Sequence, residues 1–352
     1  MALWDSIKTQ FIEVIEWTEP SDDILAYRFP VANHEIKDGA QLTVRARATI
    51  NACGPFADAV RALDEPAAPP LLAHSRGSHI VVRGDALGAA TAALLVPKTA
   101  DGRVLFAIPW HEHVLIGTTD VPVLEPDPHP HPSEDEIAYI LATVNRYLAT
   151  PLVRRDILAV FAGLRPLISG SATTTAKLSR EHLVEVSRSG LVTITGGKWT
   201  TYRIMARDAV DAAARTARLI PAPSQTEYLP LHGALAPVPA DETLRVYGSD
   251  AAAVSEVTAG DASLGARLDP RLPYTGAHVV YGVRAEMART VEDVLARRTR
   301  ALFLDAEAAR ECAPRAASLI AAELGLDHGW IETQLAAFYR VTAPRRGSDG
   351  FV

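Results

Sequence analysis

Residues 179–210, SREHLVEVSRSGLVTITGGKWTTYRIMARDAV, change their apolar period midway, and that change settles the local fold. Residues 182–187 and 191–195 alternate or run apolar on either side of Ser187-Arg188-Ser189-Gly190, which predicts the two strands of a hairpin. After Gly196-Gly197, the apolar residues Ile204, Met205, Ala206, Ala209 and Val210 follow helical spacing, with Thr200 or Thr201 placed to cap the helix. The order is strand, glycine turn, helix. Two adjacent glycines there allow a positive backbone dihedral or a close approach. The helix start leaves N–H groups without intrahelical acceptors, and Lys198 adds a positive charge. On these residues alone, an anion-binding turn and an ordinary strand-to-helix turn with a solvated lysine both stay open, the second being the commoner.

Composition sets the outer bounds. A chain of 352 residues with 48% hydrophobic and 22% charged residues is globular and long enough for two domains. A formal net charge of -7 with no long Lys/Arg run lacks the electrostatic footprint of nucleic-acid binding. Cys53 and Cys312 form neither a metal nor a disulfide pattern, so a reducing, cytoplasmic setting is expected. There is no secretory apolar segment near the start and no apolar run long enough to span a bilayer, which leaves peripheral membrane contact open.

Working outward, residues 41–51 read as one strand, and Cys53-Gly54-Pro55 turns into a short helix at 56–63, followed by a Pro/Ala-rich connector at 64–75. Short strands at 78–83, 92–96, 104–108 and 114–118, without long helices between them, predict an antiparallel sheet. The loop bearing His129 and His131 among Pro126, Pro128, Pro130 and Pro132 has no acidic or cysteine partner arranged for a metal, so no metal site is expected. A helix over 133–149 starts with Ser133 and Glu136 at capping-box spacing, and Ile137, Ile140, Leu141, Val144 and Leu148 form its buried face. The strand 157–164 ends at Arg165-Pro166, where a guanidinium at a strand mouth could grip a phosphate. His79, in RGSHIVV, could take a proton from an alcohol. Taken singly, the first is more often a rim salt bridge and the second a structural histidine. A Pro-rich linker at 221–240 precedes helical patterns at 241–247, 251–259, 284–290, 290–297, 306–324 and 330–339. Arg297, Arg298 and Arg300 read most simply as a solvated helix face.

Five blocks in order, NACGPFADAV at 51–60, RGSHIVV at 76–82, IPWHEHVLIGTTD at 108–120, FAGLRPL at 161–167 and TGGKWTTYR at 195–203, together with YGVRAE at 281–286 and VEDVLARRTR at 291–300, resemble the FAD-dependent glycerol-3-phosphate dehydrogenases. The resemblance covers about residues 41 to 340. It implies an α+β chain: an incomplete FAD-dependent oxidoreductase fold with an antiparallel-sheet substrate domain and a C-terminal helical domain. The expected segments are 1–40 as an atypical N-terminal piece, 41–220 as the oxidoreductase domain, 221–240 as linker and 241–345 as the helical domain. The implied reaction oxidises sn-glycerol 3-phosphate to dihydroxyacetone phosphate. A hydride passes to FAD, and electrons then go to a membrane quinone or another acceptor at the inner face of the cell membrane. By the same resemblance His79 is the base, and Arg165 and Arg180 are the phosphate-side arginines. Lys198 stands between the substrate oxygen and the flavin, and Gly54, Gly196, Gly197, Lys198 and Thr200 lie along the cofactor.

The first 40 residues depart from that pattern. They read as a short amphipathic helix with Leu3, Trp4, Ile7, Phe11 and Ile12 on one side, then the strands VIEW and ILAYRF. They resemble the start of bacterial proteins of the SPFH or virion-core group. No G-x-G-x-x-G occurs anywhere, although that turn normally holds the FAD pyrophosphate. An arginine and an aromatic residue that the family places beside it have no counterpart either. The expectation is a truncated or chimeric chain with weakened FAD binding and impaired turnover. Another FAD-dependent amine or hydroxy-acid oxidoreductase, or a non-catalytic remnant, are the alternatives.

Overall fold

The computed structural model describes residues 26–28, 43–88, 92–96, 99, 104–169, 181–220, 222–231, 233–234, 239, 241 and 243–342. Within them the chain forms β1 (Ala26–Arg28), β2 (Thr43–Arg45), β3 (Thr49–Asn51), α1 (Ala57–Asp64), β4 (Leu72–Arg83), β5 (Leu94–Val96), β6 (Leu105–Trp110), β7 (His113–Gly117) and β8 (Val121–Val123). There follow α2 (Glu134–Val144), β9 (Ile157–Ile168), β10 (His182–Val186), β11 (Leu191–Gly196) and α3 (Tyr202–Thr216). The C-terminal part is helical: α4 (Ala251–Gly260), α5 (Gly276–Ala285), α6 (Ala301–Leu304), α7 (Ala306–Leu324) and α8 (His328–Val341). The chain divides into two compact units. The first comprises Met1–Ser75, Pro122–Pro126 and Arg165–Tyr228, and the second Arg76–Val121, Asp127–Leu164 and Leu229–Val352.

In the first unit β10 and β11 pair antiparallel, and β11 pairs parallel to β3. Leu191 to Thr195 are all buried, as a strand covered on both faces requires, and Ala212 and Ala213 of α3 pack on Val192. Asn51 ties the layers together by donating to Ala57 O at 2.9 Å and to Thr193 Oγ1 at 3.3 Å. The single strand expected over 41–51 is instead two. The β2 segment pairs with β1 while β3 pairs with β11, so the chain breaks where its partner changes.

A six-stranded sheet has the order β5-β6-β7-β4-β8, with β9 also paired to β4. Along β6, Leu105 and Ala107 are buried while Phe106 and Ile108 are exposed, the period of a sheet with one covered face. Ile137, Ile140 and Val144 of α2 pack against Ile80, Val82, Val114 and Ile116. The predicted capping box is present: Glu136 N–H donates to Ser133 Oγ at 3.3 Å, and Ser133 N–H donates to Glu136 Oε2 at 2.9 Å. The boundaries nearest the site move. The expected connector at 64–75 ends early, because β4 begins at Leu72. The strand at 157–164 continues through Arg165-Pro166 to Ile168, so Arg165 lies within β9 and not at its mouth.

The helical part of the second unit has its own core of Val279, Val283, Leu295, Leu304, Ile320 and Phe338 with the small face Ala308, Cys312, Ala313, Ala316 and Ala317 of α7, which lets helices approach closely. Gly276 through Val283 are buried without interruption. A helix covered on every side carries no apolar stripe, which is why the sequence shows no helical period over 276–283 and suggests a helix at 284–290, where α5 has already ended by Ala285. The basic cluster is also not a plain solvated face. Residues Asp293–Arg298 form a π-helical turn in which Arg297 pairs with Glu292 at 2.6 Å and with Asp293 at 3.1 Å, while half-buried Arg298 donates to Glu286 O. Of the two cysteines, Cys53 is exposed and Cys312 is buried.

Candidate active site

The anticipated residues fall in both units, and each group is described where it lies. In the first, Gly196 and Gly197 adopt φ of +74° and +73°, the left-handed region that glycine enters at least cost. Space is short there as well. A Cβ on Gly196 would come within 2.7 Å of Glu181 O and 2.9 Å of Ile168 Cδ1, and one on Gly197 would press into the Met205 thioether. The turn delivers the exposed Lys198 to the start of a 3-10 turn, Trp199–Thr201, that leads into α3. Thr201 sits at the N-cap of α3, but its hydroxyl turns back, donating to Lys198 O at 3.0 Å and accepting from Lys198 N–H at 3.3 Å. The expected side-chain cap is therefore absent, and Thr200 is exposed. Trp199 is 86% exposed and stacks on Tyr202 at 5.5 Å, so this helix start presents aromatic surface as well as charge.

Gly54 also has positive φ, +55°, and a Cβ there would meet nothing within 4 Å. That glycine therefore serves the backbone dihedral and leaves open space above it. Arg165 is part-buried, with Nη1 3.5 Å from Ser75 Oγ. Arg180 lies outside the described residues. Next to the turn, His182 Nε2 and Asp208 Oδ2 are 2.9 Å apart, and Arg207 donates to Asp208 Oδ1 at 2.8 Å. The Arg207 and His182 hydrogen bonds hold the Asp208 carboxyl below its ordinary range.

In the second unit, His79 is half-buried on β4 directly opposite Gly117 of β7. Its imidazole stacks on Phe161 of β9, ring centroids 5.1 Å apart and 15° from parallel, and Phe303 packs against the far side of the cluster, 5.0 Å from Phe161. Beside His79 the backbone is pinned by one buried carboxylate. Glu136 accepts from Ser78 Oγ at 2.7 Å, Thr119 Oγ1 at 2.6 Å and Arg76 Nη2 at 2.6 Å in addition to Ser133, and Thr119 Oγ1 in turn accepts Ser78 N–H at 2.9 Å. Burial works against the charged form of Glu136, but the bonds from Ser133, Thr119, Ser78 and Arg76 outweigh it and hold the carboxyl below its usual range. The sequence marks neither Phe161 as a partner of His79 nor Glu136 as an acceptor beyond its capping box. FAGLRPL carried Phe161 in plain view, but the contact joins residues 82 positions apart, which no local spacing reveals.

The same unit holds a cavity of about 610 Å³ lined by Ile157, Phe161, Leu302, Phe303, Arg310 and, on the proline loop, His129 among others. Among the described residues no three His, Cys, Asp or Glu side chains converge as a metal site, and no helix is long and apolar enough to cross a membrane.

A parallel strand pair leading through a double-glycine turn into a helix, with a histidine-bearing antiparallel sheet and a helical domain, gives an α+β fold of the FAD-linked oxidoreductase kind. The chain belongs to the FAD-dependent oxidoreductase family, whose model matches residues 25–203, and a model described as the C-terminal domain of alpha-glycerophosphate oxidase matches 192–330. It is 37% identical to the mitochondrial glycerol-3-phosphate dehydrogenase of Macaca fascicularis over 364 residues, covering 95% of this chain and 49% of that protein. It is also 37% identical to glycerol-3-phosphate dehydrogenase 2 of Mycobacterium bovis over 326 residues, 88% of this chain and 55% of that one. The chain thus spans about half the length of these relatives. A similar fold is the glycerol-3-phosphate dehydrogenase of Bacillus halodurans complexed with FAD, with TM-score 0.73 and 24% identity, covering 93% of this chain and 70% of that one.

Proposed function

We propose that the chain carries the substrate-side sheet, a flavin-side turn and the helical domain of an enzyme that oxidises sn-glycerol 3-phosphate to dihydroxyacetone phosphate. The observation that carries this reading is the 37% identity to a glycerol-3-phosphate dehydrogenase extending over 95% of the chain. The residues at the glycine turn suit FAD: Gly196, Gly197 and Lys198 combine a positive-φ backbone, an exposed cation and a helix start, and Gly54 leaves uncovered space. These four with Thr200 would hold it. FAD, when bound, supplies the hydride acceptor, and its electrons pass on to a quinone or another acceptor, consistent with peripheral attachment to a membrane.

The protein's own groups do the rest. His79 takes the hydroxyl proton as the carbon–hydrogen bond breaks, and Lys198 stabilises the negative charge that gathers on the oxygen. Arg165 grips the phosphate through its planar fork, with Arg180 as its partner in that task. In the 352-residue chain supplied with excess FAD, glycerol 3-phosphate is expected to bleach the flavin only slowly, in line with the impaired turnover expected without a G-x-G-x-x-G turn, and Arg165→Ala to raise KM for glycerol 3-phosphate far more than for glycerol. Equal changes for both substrates would remove the phosphate role, and a flavin that the substrate never bleaches would remove the activity from this chain.

A further inference from the structure

We infer that Phe161 is a positioning residue for the His79 imidazole, clamping it against the bare backbone of Gly117. The inference rests on the reading of His79 as the base. Gly117 has no positive φ to explain it, so the dihedral does not demand glycine. Space does. A Cβ at position 117 would lie 2.9 Å from His79 Cγ and 3.0 Å from Nε2, closer still to Cδ2, so the ring lies across the place a side chain would occupy. The cross-strand register puts the two residues directly opposite each other, within reach of a side chain laid across the β4–β7 ladder.

Phe161 stacks on the same imidazole at 5.1 Å and 15°, an offset-stacked geometry. Phe161 is itself braced by Phe303, tilted at 58° and 5.0 Å, on the short helix α6. A ring packed on both a backbone and a braced phenyl keeps its χ2, and with it the direction of the nitrogen that receives the proton. A proton-transfer group displaced by about 1 Å can lose on the order of 100-fold in rate while the ligand still binds. Two different signals therefore report the clamp: the chemical shift of the imidazole, which feels the Phe161 ring current, and the rate of proton abstraction, which feels its orientation.

The test uses the 352-residue chain with histidine-selective isotope labelling, in wild type, Phe161→Leu and Phe161→Tyr, together with flavin reduction by glycerol 3-phosphate when FAD is supplied. Phe161→Leu is expected to move the His79 Cδ2–H resonance downfield and to lower kcat by about 10- to 100-fold with KM little changed. Phe161→Tyr, which keeps the ring, should restore both. Phe303→Leu should act in the same direction but more weakly. A His79 resonance that ignores Phe161→Leu would overturn the contact, and a rate lost in Phe161→Leu that Tyr does not restore would overturn positioning in favour of general disruption. His79→Gln reducing flavin at the wild-type rate would remove the base assignment, and with it the catalytic half of this inference, while leaving the resonance result standing.

Discussion

The Arg76 guanidinium reaches the Glu136 carboxylate at 2.6 Å, joining the interior of β4 to the first turn of α2. The carboxylate is 5% exposed and also accepts from Ser78, Thr119 and Ser133. Glu136→Ala would leave those donors buried without their acceptor, and a loss of roughly 3–5 kcal/mol is expected from urea unfolding. The native carboxyl is held below its ordinary value of 4.5, so its contribution is present above that pH and is lost as pH falls toward the lowered value. Glu136→Gln should flatten that acid limb, and a mutant with the wild-type acid limb would refute the assignment.

At the glycine turn, Gly196→Ala should cost more than Gly197→Ala. Each pays roughly 1–2 kcal/mol for a Cβ in the left-handed region. The first also meets a backbone oxygen, Glu181 O, which cannot swing away, whereas the second meets the end of the flexible Met205 side chain. Urea midpoints of the two variants measure the order directly, and the reverse order would contradict this geometry.

Hairpin, double-glycine turn and following helix were legible in the sequence because each has a local signature: alternation, paired glycines, then a 3.6-residue period. So was the Ser133–Glu136 box, whose partners are three residues apart. What escaped was whatever depends on burial from all sides or on distant partners. The uniformly buried α5 has no stripe to read, Pro166 lies inside β9 and not at its end, and the His79–Phe161 stack joins separate strands. Likewise Arg297 and Arg298 find their carboxylate and carbonyl partners only once the π-turn forms.

Burial lowers the pKa of His278 to about 4 from 6.5, and its Nδ1 accepts the Thr275 N–H at 3.1 Å, which leaves the ring proton on Nε2. Facing it are the rings of Tyr247 and Tyr274, whose hydroxyls burial pushes upward so that they stay protonated, and the carboxylate of Asp241. Between those two pH values the unfolded chain takes up a proton that the folded chain refuses. Stability is therefore full above about 6.5 and falls as pH drops toward 4, by on the order of 3 kcal/mol at about 1.4 kcal/mol per unit. His278→Gln should remove that slope in urea titrations between pH 7.5 and 4.5, and a slope unchanged by the substitution would show that another group titrates.

The contrast between the two cysteines makes this protein singly addressable as it stands. Burial among the alanines of α7 pushes the Cys312 thiol up to about 12, so it offers almost no thiolate at neutral pH, while Cys53 is open to solvent beside the Gly54 turn. A maleimide dye added to the native protein should attach once, at Cys53, and a second label should enter only when urea opens the helical core. The molecule thus carries a built-in reporter next to one of the proposed flavin-side glycines and, with the same reagent, a clock for the opening of its helical half.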